Sequence, residues 1–217
     1  MTGALGTHAD RLLETTLADP QRREHGTSAK VTIDDKMSIS TKYVVGEVST
    51  VAIGHNLHRF AVNGMEHLIR SELACLDIHT HGVADLPPSP ADIKALLTDT
   101  EDGGLQAEIV VTPSSRFLII RTLETPERDS ERVSREQESH TIRLRQEMET
   151  QLEPWIKHMH NFSGGQNIST QLLDAQMAKL SPSIQMKVLV DVCRENNLAM
   201  YTATDKTRPN YYSRVFV

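Results

Sequence analysis

Apolar residues in the first part of this chain come in short runs, many of them β-branched. After residue 125 they thin out into a longer, charge-rich rhythm. Residues Thr7 to Glu24 carry Leu12, Leu13 and Leu17 as a partial apolar face behind a capping threonine, Thr7, which predicts a helix. "SAKVTI" and "KYVVGEVSTVAIG" predict strands, with the polar "DDKMSIS" as the turn between them. "HRFAVN" reads as a further strand, and "GMEHLIRSE" fits neither period. "LACLDIHTH" is mostly apolar and predicts an interior strand.

"PPSPADIKALLTD" follows, with a strong helix-start signal: Ser89 as cap, Pro90 at the first helical position and Asp92 at the third. "QAEIVVTPSSRFLIIRTLE" predicts a hairpin turning at Pro113–Ser115. From Pro126 onward "RDSERVSREQE" and its continuation predict a long exposed helix or a pair of helices, with Pro154 as a break or kink. "FSGGQN" is a loop, "ISTQLLDAQMAKL" and "SPSIQMKVLVDVCREN" predict two separate helices, and "LAMYTAT" with "YYSRVFV" a closing hairpin. The change in composition at Glu124–Ser130 divides the chain into a unit over 1–125 and a mainly helical extension over 126–217.

Composition narrows the function classes. The chain has 217 residues, 38% of them hydrophobic, and a formal net charge of -6, which gives no electrostatic case for nucleic acid or an anionic membrane. No apolar run approaches the roughly 20 residues of a membrane span, and the N-terminus lacks a basic start with an apolar signal core. Cys75 and Cys193 are too few for a disulfide framework and read as small buried apolar residues, so a reducing cytoplasm is the expected compartment.

The chemistry gathers in "HTHGVADLPPSPAD". Side chains at i and i+2 of a strand share a face, so His79 and His81 project to one side, as two ligands of one ion must. Asp92 opens the next helix near the end of that strand and is available as a third ligand. Three protein ligands with one open position describe a catalytic zinc site. A second pair, "HMH" at 158–160, falls in the charged helical region, where i and i+2 diverge by about 200° and read as a solvated face.

The pattern His-Thr-His, seven residues, Ser-x-x-Asp resembles the JAMM motif of the JAB/MPN metallopeptidases, with matching spacing. The resemblance spans about Leu5 to Leu123 and implies an α/β (α+β) fold. That fold is a cytidine-deaminase-like mixed sheet flanked by helices. It implies His79, His81 and Asp92 as ligands of one Zn2+, and Ser89 as support for the tetrahedral intermediate. It also implies an upstream glutamate as general base: Glu24, at the end of the first helix, with Glu47 as the fallback. The chain departs from the family at Gly82, where proline is usual. The activity implied is cleavage of a peptide or isopeptide bond, with a ubiquitin-like modifier or its conjugate as protein substrate. The 126–217 region would cover the sheet, form an oligomer or dock a partner.

Two other readings remain open at this point. "DIHTHG" alone resembles the start of the amidohydrolases and PHP phosphoesterases. These need further ligands at later strand ends, and the later histidines, His140, His158 and His160, lie in the helical region. A JAB/MPN-like scaffold without catalysis is the third.

Overall fold

An aspartate and a proline decide where the first helix stops. The computed structural model describes residues 3–21, 23–32, 37–39, 44–46, 73–81, 85–98, 105–122, 124–126, 128–162, 167–204 and 213–215. Helix α1 spans Gly3–Ala18, not Thr7 to Glu24: Thr7 lies inside it, and its end comes six residues earlier. Pro20 disfavours helical backbone at Asp19, whose N–H makes the last bonds back to the Thr15 and Thr16 carbonyls. The Asp19 carboxylate then accepts from the Gln21 N–H at 2.8 Å and from Arg23 Nε at 2.9 Å, turning the chain. Glu24 therefore leaves the turn in extended backbone instead of ending a helix. Ala9, Leu12, Leu13 and Thr16 form the buried stripe of α1, at the spacing of one helix face.

The strands are β1 (His25–Thr32), β2 (Met37–Ile39), β3 (Val44–Val45), β4 (Leu73–Thr80), β5 (Leu105–Val111), β6 (Arg116–Arg121), β7 (Leu198–Ala203) and β8 (Ser213–Arg214). They form one mixed sheet in the order β2-β1-β4-β5-β6-β7-β8, with β3 also paired to β1. The pairings are antiparallel except β4–β5, which run parallel across a connection containing helix α2 (Pro90–Leu97). The β5–β6 hairpin is the one read from "QAEIVVTPSSRFLIIRTLE". Of the predicted "KYVVGEVSTVAIG" strand, residues 44–46 are described; "HRFAVN", "GMEHLIRSE", Glu47 and Gly82 lie outside the described residues.

Period-two alternation sorts the side chains onto two faces. On one, Leu76, Ile78, Ile109, Val111 and Ala29 pack against α1. On the other, Val110, Phe117, Ile119, Leu198 and Met200 pack against α2, helix α3 (Ser130–Phe162) and helix α4 (Thr170–Glu195), through Ile93, Leu96, Leu97, Val133, Val188, Leu189, Val192 and Cys193. This is a mixed α/β architecture with helices on both faces of the sheet. The sheet continues across the expected boundary at 125/126, because β7 pairs with β6 along its whole length.

Neither proline breaks its helix. α3 runs through Pro154, and "ISTQLLDAQMAKL" and "SPSIQMKVLVDVCREN" form one helix with Pro182 inside it. An interior proline costs about 3 kcal/mol. The turns after Pro182 bury Ile184, Val188, Leu189, Val192 and Cys193, and each large apolar side chain returns about 1.5–3 kcal/mol, so burial wins. In α3, Leu152 is buried two residues before the exposed Pro154, and Lys187–Glu147 and Arg143–Glu195 ion pairs tie α3 to α4.

Candidate metal centre

β4 carries His79 on the face covered by α2, and His81 follows at its end. The strand end is held to β5 by the His81 N–H, which donates to the Val111 carbonyl at 2.9 Å. The connection then returns through Pro87 and Pro88 to Ser89, the N-cap of α2. Ser89 and Asp92 form a capping box: Asp92 N–H donates to Ser89 Oγ at 3.4 Å and Ser89 N–H donates to Asp92 Oδ2 at 2.5 Å. Cap and ligand positions coincide in one carboxylate. Asp92 Oδ2 also lies 3.6 Å from His81 Nε2, and Oδ1 lies 3.5 Å from His79 Nε2.

The two Nε2 atoms are 3.2 Å apart. Donors held about 2.0–2.2 Å from a tetrahedral zinc ion sit about 3.3–3.6 Å from one another; the two imidazole nitrogens lie near that spacing, and Asp92 approaches each of them through a different oxygen. The ligand atoms of His79, His81 and Asp92 all lie within 4.8 Å of one another. Both rings are turned to leave Nε2 bare. His81 Nδ1 faces the Leu86 carbonyl at 3.0 Å and must donate to it, and His79 Nδ1 faces Glu108 Oε1 at 3.2 Å. The donor set of two imidazoles and a carboxylate suits zinc.

Glu24 reaches the same place from the other side. Its Oε1 is 4.0 Å from His81 Nε2, and its side chain is 8% exposed. Two backbone ties hold it there: its carbonyl accepts from the Gly46 N–H at 2.9 Å, and the next residue, His25, is clasped by Thr80. The Thr80 hydroxyl takes the His25 N–H at 3.1 Å and lies 3.2 Å from the His25 carbonyl and 2.5 Å from the Thr16 hydroxyl of α1. Thr80 stands between the two histidines and points to the opposite face of β4, so the strand that presents the imidazoles also fixes the base of Glu24. Gly26 pairs with His79 across β1–β4, so no side chain crowds the histidine from that strand.

The electrostatics are those of a cation site. Burial pushes the Glu24, Asp77 and Glu108 carboxyls up to about 7, against the pull of His79. Burial also works against a charged His79 ring, but Asp92, Glu108 and Glu24 outweigh it and raise His79 to about 9. Burial, then His79, lowers His81. A proton on His79 is thus the cation among these carboxylates.

Of the expected site residues, His79, His81, Asp92 and Glu24 converge, and the Ser89 hydroxyl is engaged in the helix cap. Asp77 is the acid of "DIHTHG", and Glu108 is the residue that the sequence reading misses. They pair across β4–β5 and are both buried. The available signal was a lone acid inside the apolar run "AEIVV". Cys193 is buried with its thiol pushed up to about 12 by burial, which suits an inert core residue. His158 and His160 lie exposed on α3. Among the described residues no helix is long and apolar enough to cross a membrane. Comparisons with protein-family models, curated proteins and solved structures found no match.

Proposed function

We propose that this chain is a zinc-dependent amide hydrolase of the JAMM type, cleaving a peptide or isopeptide bond at the tail of a ubiquitin-like modifier. The observation that carries the reading is the convergence of His79, His81 and Asp92, whose ligand atoms lie within 4.8 Å of one another, with the buried Glu24 beside them. Three protein ligands leave a fourth position for water, the arrangement of catalytic and not structural zinc. His81 and Asp92 keep 13% and 19% of their side chains exposed, so a substrate approaches from that side.

Bound zinc would supply Lewis acidity, drawing the pKa of water toward 7 and polarising the scissile carbonyl. Glu24 is the general base. Its carboxyl, held near 7 by burial, is matched to taking a proton from the attacking water and returning it to the leaving amine. Ser89 sits at the start of α2, where its hydroxyl and the positive end of the helix favour a developing oxyanion. The sheet also favours this reading over the amidohydrolase one. Those enzymes use an all-parallel barrel, whereas β4–β5 is the single parallel pair among the described strands.

The deciding experiment measures zinc content and cleavage together. Purified protein should hold about one zinc per chain and release a fluorophore amide-linked to the C-terminal tail of a ubiquitin-like modifier. Glu24→Gln should keep the zinc and lose the cleavage, by about 100-fold or more. Zinc bound with no amide cleavage in the unmodified protein would leave a metal-binding scaffold instead.

A further inference from the structure

The two histidines that face the metal position are braced differently from behind. His81 Nδ1 meets a neutral backbone carbonyl, that of Leu86, at 3.0 Å. His79 Nδ1 meets a carboxylate, Glu108 Oε1, at 3.2 Å. The parallel register sets this up. Asp77 pairs with Glu108 and His79 with Val110, so Glu108 stands one step behind His79 on the neighbouring strand and leans along the strand to reach its ring.

Glu108 has no evident place in the fold itself. It lies on a sheet face it shares with Val110, Phe117 and Ile119 as well as with Asp77 and His79, and an apolar side chain there would pack at no desolvation cost. It is 5% exposed, so water does not share the bond. Its second oxygen, Oε2, is buried without a hydrogen-bond partner. A buried carboxylate with one free oxygen and one histidine contact is a poor structural element and a good outer partner for a metal-bound imidazole.

We infer that Glu108 is a positioning residue for the metal, holding His79 in the tautomer that presents Nε2 and strengthening that nitrogen as a ligand. This rests on the zinc reading proposed above. The carboxylate acts by geometry and by charge: it fixes the ring plane, and it shares the Nδ1 proton so that more electron density reaches Nε2. His81, braced by a carbonyl, is oriented without the second effect. The two ligands are therefore unequal, and His79 carries more of the affinity.

Zinc competition titrations separate the possibilities. Glu108→Gln keeps the side-chain shape and a neutral acceptor for Nδ1–H. Glu108→Ala removes both. The expected order of zinc affinity is wild type, then Gln, then Ala, with Gln weaker by about 10-fold and Ala by up to about 100-fold. The zinc-free fold of Glu108→Gln should persist with a melting temperature lowered by no more than a few degrees, because Asp92 and Glu24 still face the His79 ring. In the zinc-bound wild type, nitrogen NMR should show His79 protonated at Nδ1, with that proton moving upfield in Glu108→Gln as the carboxylate is lost. Equal zinc affinities for wild type and both variants would overturn the inference while leaving the metal centre in place. Absence of zinc binding in wild type would overturn the centre and the inference together. A loss of affinity matched by collapse of the zinc-free fold in Glu108→Gln would reassign Glu108 to structure and refute it too.

Discussion

The buried carboxyl and imidazole groups make a sharp prediction about pH. In zinc-free protein Glu24, Asp77 and Glu108 titrate near 7, against ordinary values of 4.5, 3.8 and 4.5, and His79 near 9, against 6.5. All four folded values lie above the unfolded ones, so the folded state binds more protons than the unfolded chain. Stability must then fall as pH rises, beginning above the unfolded carboxyl range near 4 and ending near 9. His79's share is fully present below about 6.5 and is lost as pH rises through about 9. His81, lowered by burial and then by His79, works the other way over a narrow window below its ordinary 6.5. Because the groups are coupled, the excess near neutrality is about one to two protons, a slope of about 1.4–2.7 kcal/mol per pH unit. For a chain of this size, 1 kcal/mol moves the melting temperature by about 2–4 °C. Melting between about pH 6 and about pH 8 in EDTA should therefore fall by on the order of 10 °C. On the zinc reading proposed above, bound zinc should oppose the trend by replacing the His79 proton as the cation among the carboxylates. At a free concentration about 100 times its dissociation constant it adds about 2.7 kcal/mol, or about 5–10 °C. That increment grows toward pH 9 at fixed zinc as proton competition declines. Circular-dichroism melts with EDTA or zinc at matched pH read both effects. A zinc-free melting temperature that rises across this range, or an equal zinc shift in His79→Ala, would refute the reasoning.

Other outcomes follow from packing and capping. Leu96, fully buried between α2 and the sheet, should cost about 2–5 kcal/mol when cut to Ala, read as a lower urea midpoint with an unchanged slope. Ser89→Ala removes the cap hydroxyl but leaves the Ser89 N–H bond to Asp92 possible at the backbone, so stability should drop by about 1 kcal/mol with zinc affinity nearly unchanged. A much larger fall in cleavage rate than in stability would mark the hydroxyl as a direct support for the oxyanion. Pro154→Ala should stabilise α3, by at most about 3 kcal/mol, seen as a higher melting temperature with no change in zinc binding.

Part of the candidate ligand set was legible because it is local. The i, i+2 rule placed His79 and His81 together, and the Ser-Pro-x-Asp start correctly opened α2 at Pro90 with Asp92 in its first turn. The helix ends were less legible. Leu17 extended the apparent stripe of α1, yet it is 39% exposed, and Pro20 overrode the pattern. Pro154 read as a break or kink because local propensity penalises it, and Ser181-Pro182 read as the start of a new helix, while burial after Pro182 kept the helix whole.

The sequence by itself determined the alternation that assigns residues to sheet faces, the capping box, and the i, i+2 spacing that puts the two imidazoles on one side of β4. Each depends on neighbours within about four residues, where strand and helix periods are strict. Tertiary structure alone decided that Glu24 arrives beside His81, that Thr80 clasps His25 across the β1–β4 pair, and that Glu108 backs His79. It also decided that β7, far along the chain, joins the sheet beside β6. Those contacts depend on strand order and register, which arise when separate apolar faces are buried together, and no local period in the chain encodes them.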